Sequence, residues 1–324
     1  MPTTPSIRSA SANPPARPLL LAGPTASGKS EVALVLADTL GGEIVSVDSM
    51  QVYRGLDIGT DKPSPEARAR VPHHLIDVVE VTEPFDAAKF ATLARQAVTE
   101  IQSRGHVPIL CGGTGLYFRA FLTGLGEAPP PDPKLRAELE ATPLAELLRE
   151  LQQRDPATFE RIDRSNPRRV VRAVEVLRLT GKPFSAQRAD WREPPSEPIY
   201  VLRRAPEGLR ARIEARVERM FAAGLVEETR RLLERGLERN RTAMQALGYR
   251  QVVEHLRGAR SLAETVEQVK TRTWQFARRQ LTWFRRQPNV EWVDVAADEP
   301  AEAIAARIHR LWANRSRSHS TSHA

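Results

Sequence analysis

Within this 324-residue chain, Gly23-Pro24-Thr25-Ala26-Ser27-Gly28-Lys29-Ser30 has the most definite chemistry. Its glycines let the backbone curl until successive amide N–H groups and the positive end of a following helix converge on phosphate oxygens. Lys29 adds a cation, and the Ser30 hydroxyl is suited to ligate Mg²⁺. The context fits such a loop. The apolar run Leu19-Leu20-Leu21-Ala22 reads as a buried strand before it, and Val32, Ala33, Val35 and Leu36 share one side of a helical pattern after it. Residues 23–30 are therefore expected to hold a di- or triphosphate.

Two further groups belong to the same edge of such a fold. Ile44-Val45-Ser46-Val47-Asp48-Ser49 puts a carboxylate at the end of a second apolar strand, facing whatever the loop holds or capping the next turn. Cys111-Gly112-Gly113-Thr114-Gly115 follows a third apolar run; its glycines permit close approach, and Thr114 offers a hydroxyl or a helix cap. Together they describe a cleft lined by phosphate donors, a carboxylate and a hydroxyl.

The elements that must position these groups follow from periodicity. Apolar runs at 19–22, 44–47 and 107–111 alternate with helical patterns, as in a P-loop NTPase-like α/β fold with a parallel sheet flanked by helices. Pro129-Pro130-Pro131-Asp132-Pro133 and the later Pro194, Pro195 and Pro198 bracket a segment without a convincing strand, read as an all-helical insertion domain over 125–198. Residues 199–202 and 290–295 read as strands returning to the sheet between Arg-rich helices, so the catalytic core comprises 18–124 and 199–313. The ends, 1–17 and 314–324, are polar and expected to be disordered tails. Five prolines by position 18 oppose the amphipathic helix of a transit peptide, which favours a cytoplasmic protein.

Composition narrows the classes further. No apolar run approaches the roughly 18 residues of a membrane span. Cys111 is the sole cysteine, which excludes an intrachain disulfide, fits a reducing compartment and reads as strand core. Forty-eight Lys and Arg against 40 Asp and Glu give a net charge of +8, favouring a polyanionic partner. The arginines cluster. Arg212, Arg216 and Arg219 share a helix face beside an apolar stripe of Ile213, Val217 and Met220, although Glu214 and Glu218 make a solvated basic face the alternative. After Asn166-Pro167, a helix turns Val170, Val174 and Leu177 to the core while Arg168, Arg169 and Arg172 are expected to project together. Arg278 with Arg285, and Arg279 with Arg286, flank Trp283, a pattern for stacked bases and phosphates or for a core tryptophan. Gln245-Ala246-Leu247-Gly248-Tyr249-Arg250 adds a glycine, an aromatic and a cation. Adjacent His73 and His74 lack zinc-type spacing, so no protein metal ligand beyond Ser30 is expected.

The ordered motifs, from the P-loop through 45–53, Asp57-Ile58-Gly59-Thr60-Asp61-Lys62-Pro63, Pro72-His73-His74-Leu75-Ile76-Asp77 and Gly112-Gly113-Thr114-Gly115-Leu116-Tyr117, resemble the tRNA dimethylallyltransferases. Asn166 to Ala173, Ala246 to Arg250 and Arg278 to Phe284 continue the likeness. Ser30 stands where many members have Thr, an exchange of hydroxyls. The resemblance implies transfer of the dimethylallyl group of dimethylallyl diphosphate to N6 of the adenosine 3′ to the anticodon. By it, the P-loop holds the leaving diphosphate with Mg²⁺, Arg212 and Arg216, where the motif alone reads as ATP-binding. Asp48 becomes the base that accepts the amine proton, Thr114 assists in positioning the amine, and Lys29 stabilises the charge on the leaving diphosphate. The anticodon stem-loop of tRNA would meet Asp48, Ser49, Met50, Gln51, Thr114, Arg136, Arg168, Arg169, Val170, Val171, Arg172, residues 245–250, Arg278, Arg279, Gln280, Trp283 and Arg285. No membrane and no obligate protein partner are expected, so the chain reads as a monomer. A P-loop kinase with ATP in the loop, and an RNA-binding NTPase, are the competing classes; the Arg clusters and the helical insertion oppose the first.

Overall fold

A computed structural model describes residues 17–187 and 197–320; the expected tail 1–17, Arg17 apart, and residues 321–324 lie outside it. Six strands form one all-parallel sheet: β1 (Leu19–Ala22), β2 (Gly42–Val47), β3 (His73–His74), β4 (Val107–Gly112), β5 (Ile199–Arg203) and β6 (Val290–Asp294), in the order β3-β2-β4-β1-β5-β6. Helices α1 (Lys29–Leu40), α2 (Pro65–Arg70), α3 (Ala87–Ser103) and α4 (Gly115–Thr123) follow the early strands. Then come α5 (Pro133–Ala141), α6 (Leu144–Arg154), α7 (Pro156–Arg161), α8 (Pro167–Thr180) and α9 (Phe184–Gln187). The later strands alternate with α10 (Pro206–Ala222), α11 (Leu225–Glu234), α12 (Tyr249–Leu256), α13 (Leu262–Arg285) and α14 (Ala301–Ser320).

The central strands are largely apolar because both sheet faces are covered there. Leu19, Leu20, Leu21 and Ala22 of β1 are 0% exposed, and each such leucine contributes about 2 kcal/mol by leaving water. Val32, Leu36, Ile304 and Ile308 of α1 and α14 join Leu19, Leu21 and Leu202 in one cluster, while α10 and α13 pack through Leu209, Ile213, Val217, Val269 and Ala277 in another. That cluster takes in Ile213 and Val217 of the apolar stripe beside the arginines of α10.

Register aligns the chemistry. Ala22 pairs with Gly112 and Val201, and Gly112 with Val47, so Gly23, Gly113 and Asp48 each leave the sheet just beyond one row at its carboxyl edge. Only glycine fits at 112, where a Cβ would lie 2.0 Å from the Val47 carbonyl oxygen.

The chain divides into two compact units, Met1–Phe118 with Ser196–Ala324, and Arg119–Pro195. The described part of the second unit holds only helices, around Leu139, Leu147, Leu151, Val170, Val171, Ala173 and Val174. Three of its helices start at a proline after Asp132, Asp155 or Asn166, whose side-chain oxygen accepts an amide of the first turn. The expected bounds 125–198 differ from these limits by a few residues.

Two expectations need correction. The expected tail from 314 continues α14 as far as Ser320, because extending a helix already anchored by Ile304 and Ile308 costs little. The strand at 290–295 ends at Asp294, with the Val295 amide still donating to the Arg203 carbonyl at 2.8 Å.

Candidate active site

The phosphate loop is built by backbone conformation. Ala26 and Gly28 sit at φ 63° and 93°, the left-handed region, and the Ser27 amide donates to the Pro24 carbonyl at 3.2 Å. Arg212 Nε donates to the Ala26 carbonyl and Arg204 Nε to the Ser27 carbonyl, both at 2.9 Å. Those carbonyls are held by arginines, and the amides that open α1, which have no acceptor within the helix, are donors that a phosphate could take. The cavity there has a volume of about 610 Å³ and is lined by Gly28, Lys29, Ser30, Asp61, Arg212, Arg216 and Arg219. Burial lowers the Lys29 ammonium from its usual value, opposed by nearby Asp48 and Asp61, and burial likewise lowers the Arg216 guanidinium. A ligand carrying negative charge would restore to both what burial costs them.

A second cavity, of about 370 Å³, shares Lys29, Ser30, Asp61 and Arg216 with the first and extends to Asp48, Ser49, Met50, Gln51 and Thr114. Its apolar wall comes from Val217, Met220, Ala246, Leu247, Val269 and Phe276. Asp48 both caps its turn and lines this cavity. Its Oδ1 accepts the amides of Met50 at 2.8 Å and Gln51 at 3.3 Å, which fixes the carboxylate while the residue lines the cavity. Thr114 Oγ1 accepts the Ser49 amide at 3.1 Å, so its own hydroxyl proton remains available to an acceptor. Gln51 takes the Ser46 hydroxyl on Oε1 at 2.8 Å and donates to the Thr60 carbonyl at 3.2 Å, tying the Asp48 turn to the next loop.

α13 braces the loops from the side. Gln280 accepts the Thr25 amide and donates to the Gly113 carbonyl, both at 2.9 Å, joining the phosphate loop to the loop of Thr114. One turn on, Trp283 presses on Gly115, where a Cβ would lie 2.2 Å from the indole. The glycines around Thr114 thus admit a strand backbone and two α13 side chains.

Several residues expected to touch tRNA are instead internal. Tyr249 is 0% exposed; its hydroxyl donates to Glu228 at 2.6 Å and accepts the Gly59 amide at 3.0 Å. Val170 and Val171 lie in the core of the helical unit, whereas Gln280, the buried brace just described, also lines the cavity of Asp48 and Thr114. Arg172 does not project with Arg168 and Arg169. It and Arg136 both pair with the buried Glu175, because a carboxylate out of water must be neutralised. Arg168, Arg169, Arg250, Arg278, Arg279 and Arg285 are exposed, whereas Ala246 is buried at the cavity wall. His73 and His74 go to the Val71 carbonyl and to Glu43. Cys111 is buried, and burial raises its thiol to about 11.

Sequence reasoning missed Arg204 and the bracing of Asp61. Arg204 is the residue after β5, a place at the carboxyl edge that would have flagged it. The loop of Asp61 is pinned by Lys62, which donates to the Tyr53 carbonyl and Asp57 at 2.7 Å and to Asp77 at 2.6 Å.

A parallel P-loop sheet with a cation-lined cavity at the loop, sharing a wall with a second cavity lined by a carboxylate and a hydroxyl, is the frame of a group-transfer enzyme of the P-loop class. The family model described as IPP transferase matches residues 51–287. The chain is 46% identical over 284 residues to tRNA dimethylallyltransferase 1 of Trichlorobacter lovleyi, covering 86% of this chain and 93% of that protein. It is 48% identical over 278 residues to the tRNA dimethylallyltransferase of Thermus thermophilus, covering 83% and 89%. Among solved structures, the full-length tRNA isopentenylpyrophosphate transferase of Bacillus halodurans aligns with a TM-score of 0.70 at 36% identity, over 94% of this chain and 99% of that one. A eukaryotic dimethylallyltransferase captured acting on tRNA aligns with a TM-score of 0.77 at 26% identity, over 94% and 80%. The chain belongs to the tRNA dimethylallyltransferase family.

Proposed function

We propose that this enzyme moves the dimethylallyl group of dimethylallyl diphosphate to N6 of the adenosine 3′-adjacent to the anticodon of tRNA. The observation that carries this reading is the shared wall: Lys29, Ser30 and Arg216 line both the phosphate cavity and the cavity of Asp48 and Thr114. A donor seated with its diphosphate on the loop then presents its allylic carbon to the second cavity.

The roles of the residues follow from the bonds exchanged. An adenine amine is a weak nucleophile because its lone pair is delocalised into the ring. As N6 forms its bond to the allylic carbon, the Asp48 carboxylate accepts the departing proton, with Thr114 orienting the amine. The carbon–oxygen bond to diphosphate breaks with cation-like character at carbon, and charge builds on the leaving oxygens. The opening amides of α1, Lys29, Arg212 and Arg216 stabilise that charge where it develops. Ser30, a hard oxygen donor beside Lys29 on this wall, fits Mg²⁺, which when bound supplies further neutralisation of the diphosphate. The apolar wall around Val217, Met220 and Phe276 suits the prenyl chain and keeps water from the carbon.

Access to N6 requires the adenosine to leave its stack, which calls for cations along the RNA backbone. The exposed Arg168 and Arg169 of the helical unit, and Arg278, Arg279 and Arg285 of α13, are the candidates. Among the described residues no helix is long and apolar enough to cross a membrane.

The test is chemical. Purified protein is incubated with dimethylallyl diphosphate and unmodified tRNA, the RNA is digested, and nucleosides are weighed by mass spectrometry. An adenosine heavier by one isopentenyl unit is expected. ATP-dependent phosphorylation of a small molecule, without that nucleoside, would move the protein to the kinase class.

A further inference from the structure

The Asp61–Arg216 pair stands at an unusual junction. Both residues line the phosphate cavity, the cavity of Asp48 and Thr114, and a third cavity of about 430 Å³ bordered by Lys62 and Arg68. Arg216 NH1 lies 3.3 Å from Asp61 Oδ2, with the guanidinium side chain 16% exposed and the carboxylate 57% exposed. A carboxylate in the wall of an anion site opposes the ligand that site accepts, unless it has a task there.

Placement of Asp61 is over-determined. Its backbone is left-handed at φ 53°, its amide donates to the Ile58 carbonyl at 3.1 Å, and its carbonyl accepts Gln51 Nε2 at 3.3 Å. The preceding turn hangs from Glu228, which accepts the Ile58 amide, and from the Tyr249 hydroxyl, which accepts that of Gly59. The backbone that carries this carboxylate is thus held in position, while Arg216 is a long side chain on α10 able to turn from one anion to another.

We propose that Asp61 is a positioning residue that holds Arg216 between turnovers and competes with diphosphate for it. Building on the functional reading above, the incoming diphosphate displaces Asp61 from Arg216, and the carboxylate recaptures the guanidinium when diphosphate departs. Asp61 thereby weakens retention of the product and keeps Arg216 from closing on the acceptor cavity before the donor is present. Its partner in this role is Arg216 specifically, since Lys29, Arg212 and Arg219 have no ion pair to Asp61 among those of the described residues.

Calorimetric binding of inorganic diphosphate, with Mg²⁺, to wild type, Asp61→Asn, Arg216→Gln and the double variant tests this. Asparagine tolerates the left-handed backbone, so Asp61→Asn keeps the turn, which circular dichroism checks. Asp61→Asn is expected to bind diphosphate about fivefold more tightly than wild type, the scale of a partly exposed ion pair, with the gain shrinking in high salt. In the Arg216→Gln background the same change is expected to give no comparable gain. Equal or weaker binding by Asp61→Asn, or the same gain in both backgrounds, would overturn the proposal while leaving the diphosphate site intact. Absence of diphosphate binding by wild type would remove the functional reading as well.

Discussion

Asp48 carries the heaviest assignment of any residue, and its geometry makes the test clean. An asparagine at 48 retains an oxygen for the Met50 and Gln51 amides, so the turn survives while the proton acceptor is lost. Asp48→Asn is expected to fold and bind both substrates near normally while losing on the order of 10²-fold or more in single-turnover transfer. Near-normal transfer would reduce Asp48 to a turn cap. Lys29→Ala should instead raise the donor dissociation constant and slow transfer together, because its charge serves diphosphate in ground and transition states; a change confined to transfer would contradict that role. Both positions were legible in the sequence because Asp48 follows the apolar run of β2 and Lys29 stands in the glycine-bounded loop at the start of α1. Tyr249 and Gln280 were not, since a motif marks the residues that hold a loop as strongly as those that touch a ligand. Burial tells them apart, and a buried tyrosine and an exposed one have the same letter.

Among the elements, α13 does for the two loops what the strands cannot. The sheet sets where Gly23 and Gly113 leave, but Gln280 ties their loops together across the gap. Gln280→Leu leaves a buried amide and carbonyl unpaired, at a cost of about 1–3 kcal/mol and a few degrees of melting temperature. Gln280→Glu faces the Gly113 carbonyl with a second acceptor and should be worse; a thermal melt matching wild type would show the brace to be idle. At this scale the sequence yielded every strand longer than two residues: the central ones read as apolar runs, and β6, at the sheet's edge and half-buried, as an interleaving of Val290, Trp292 and Val293 with charged residues. β3 escaped because two histidines carry no such run; the pair is fixed by the ladder to Ile44 and Val45. The arginines of α8 were half legible. Periodicity faced them away from the core valines but could not reveal that Glu175 draws Arg172 inward. Replacing Arg168 and Arg169 together is therefore expected to lower the log–log salt slope of tRNA binding by about 1.4 to 1.8, at roughly 0.7 to 0.9 per phosphate contact. An unchanged slope would mark them as solvated charge.

For the molecule as a whole, the two ends of the sheet divide the work. At the carboxyl edge sit the groups of the proposed reaction; near the amino-terminal end of β2, the buried Glu43 accepts hydrogen bonds from Arg104 at 2.8 Å and approaches His74 and His106 at 2.6 and 2.7 Å. Burial alone would raise the Glu43 carboxyl, but these partners outweigh it and hold the group at about 2. A depressed carboxylate stabilises the fold above its unfolded value and loses that contribution as pH falls, here from about 4.5 toward about 2, for on the order of 3 kcal/mol in total. Glu43→Gln should flatten the stability profile across that window, measured by denaturant melts at stepped pH; an unchanged slope would exclude Glu43 as its source. The central claim concerns the other edge, where a loop that ordinarily signals ATP is assigned to a prenyl diphosphate. It is tested most directly by a rapid-quench time course with dimethylallyl diphosphate, tRNA and ATP all present, following modified adenosine, inorganic diphosphate and inorganic phosphate together. The expected result is one diphosphate released per adenosine modified, in step, with ATP untouched. Lys29-dependent release of phosphate from ATP, without modified adenosine, would contradict the account.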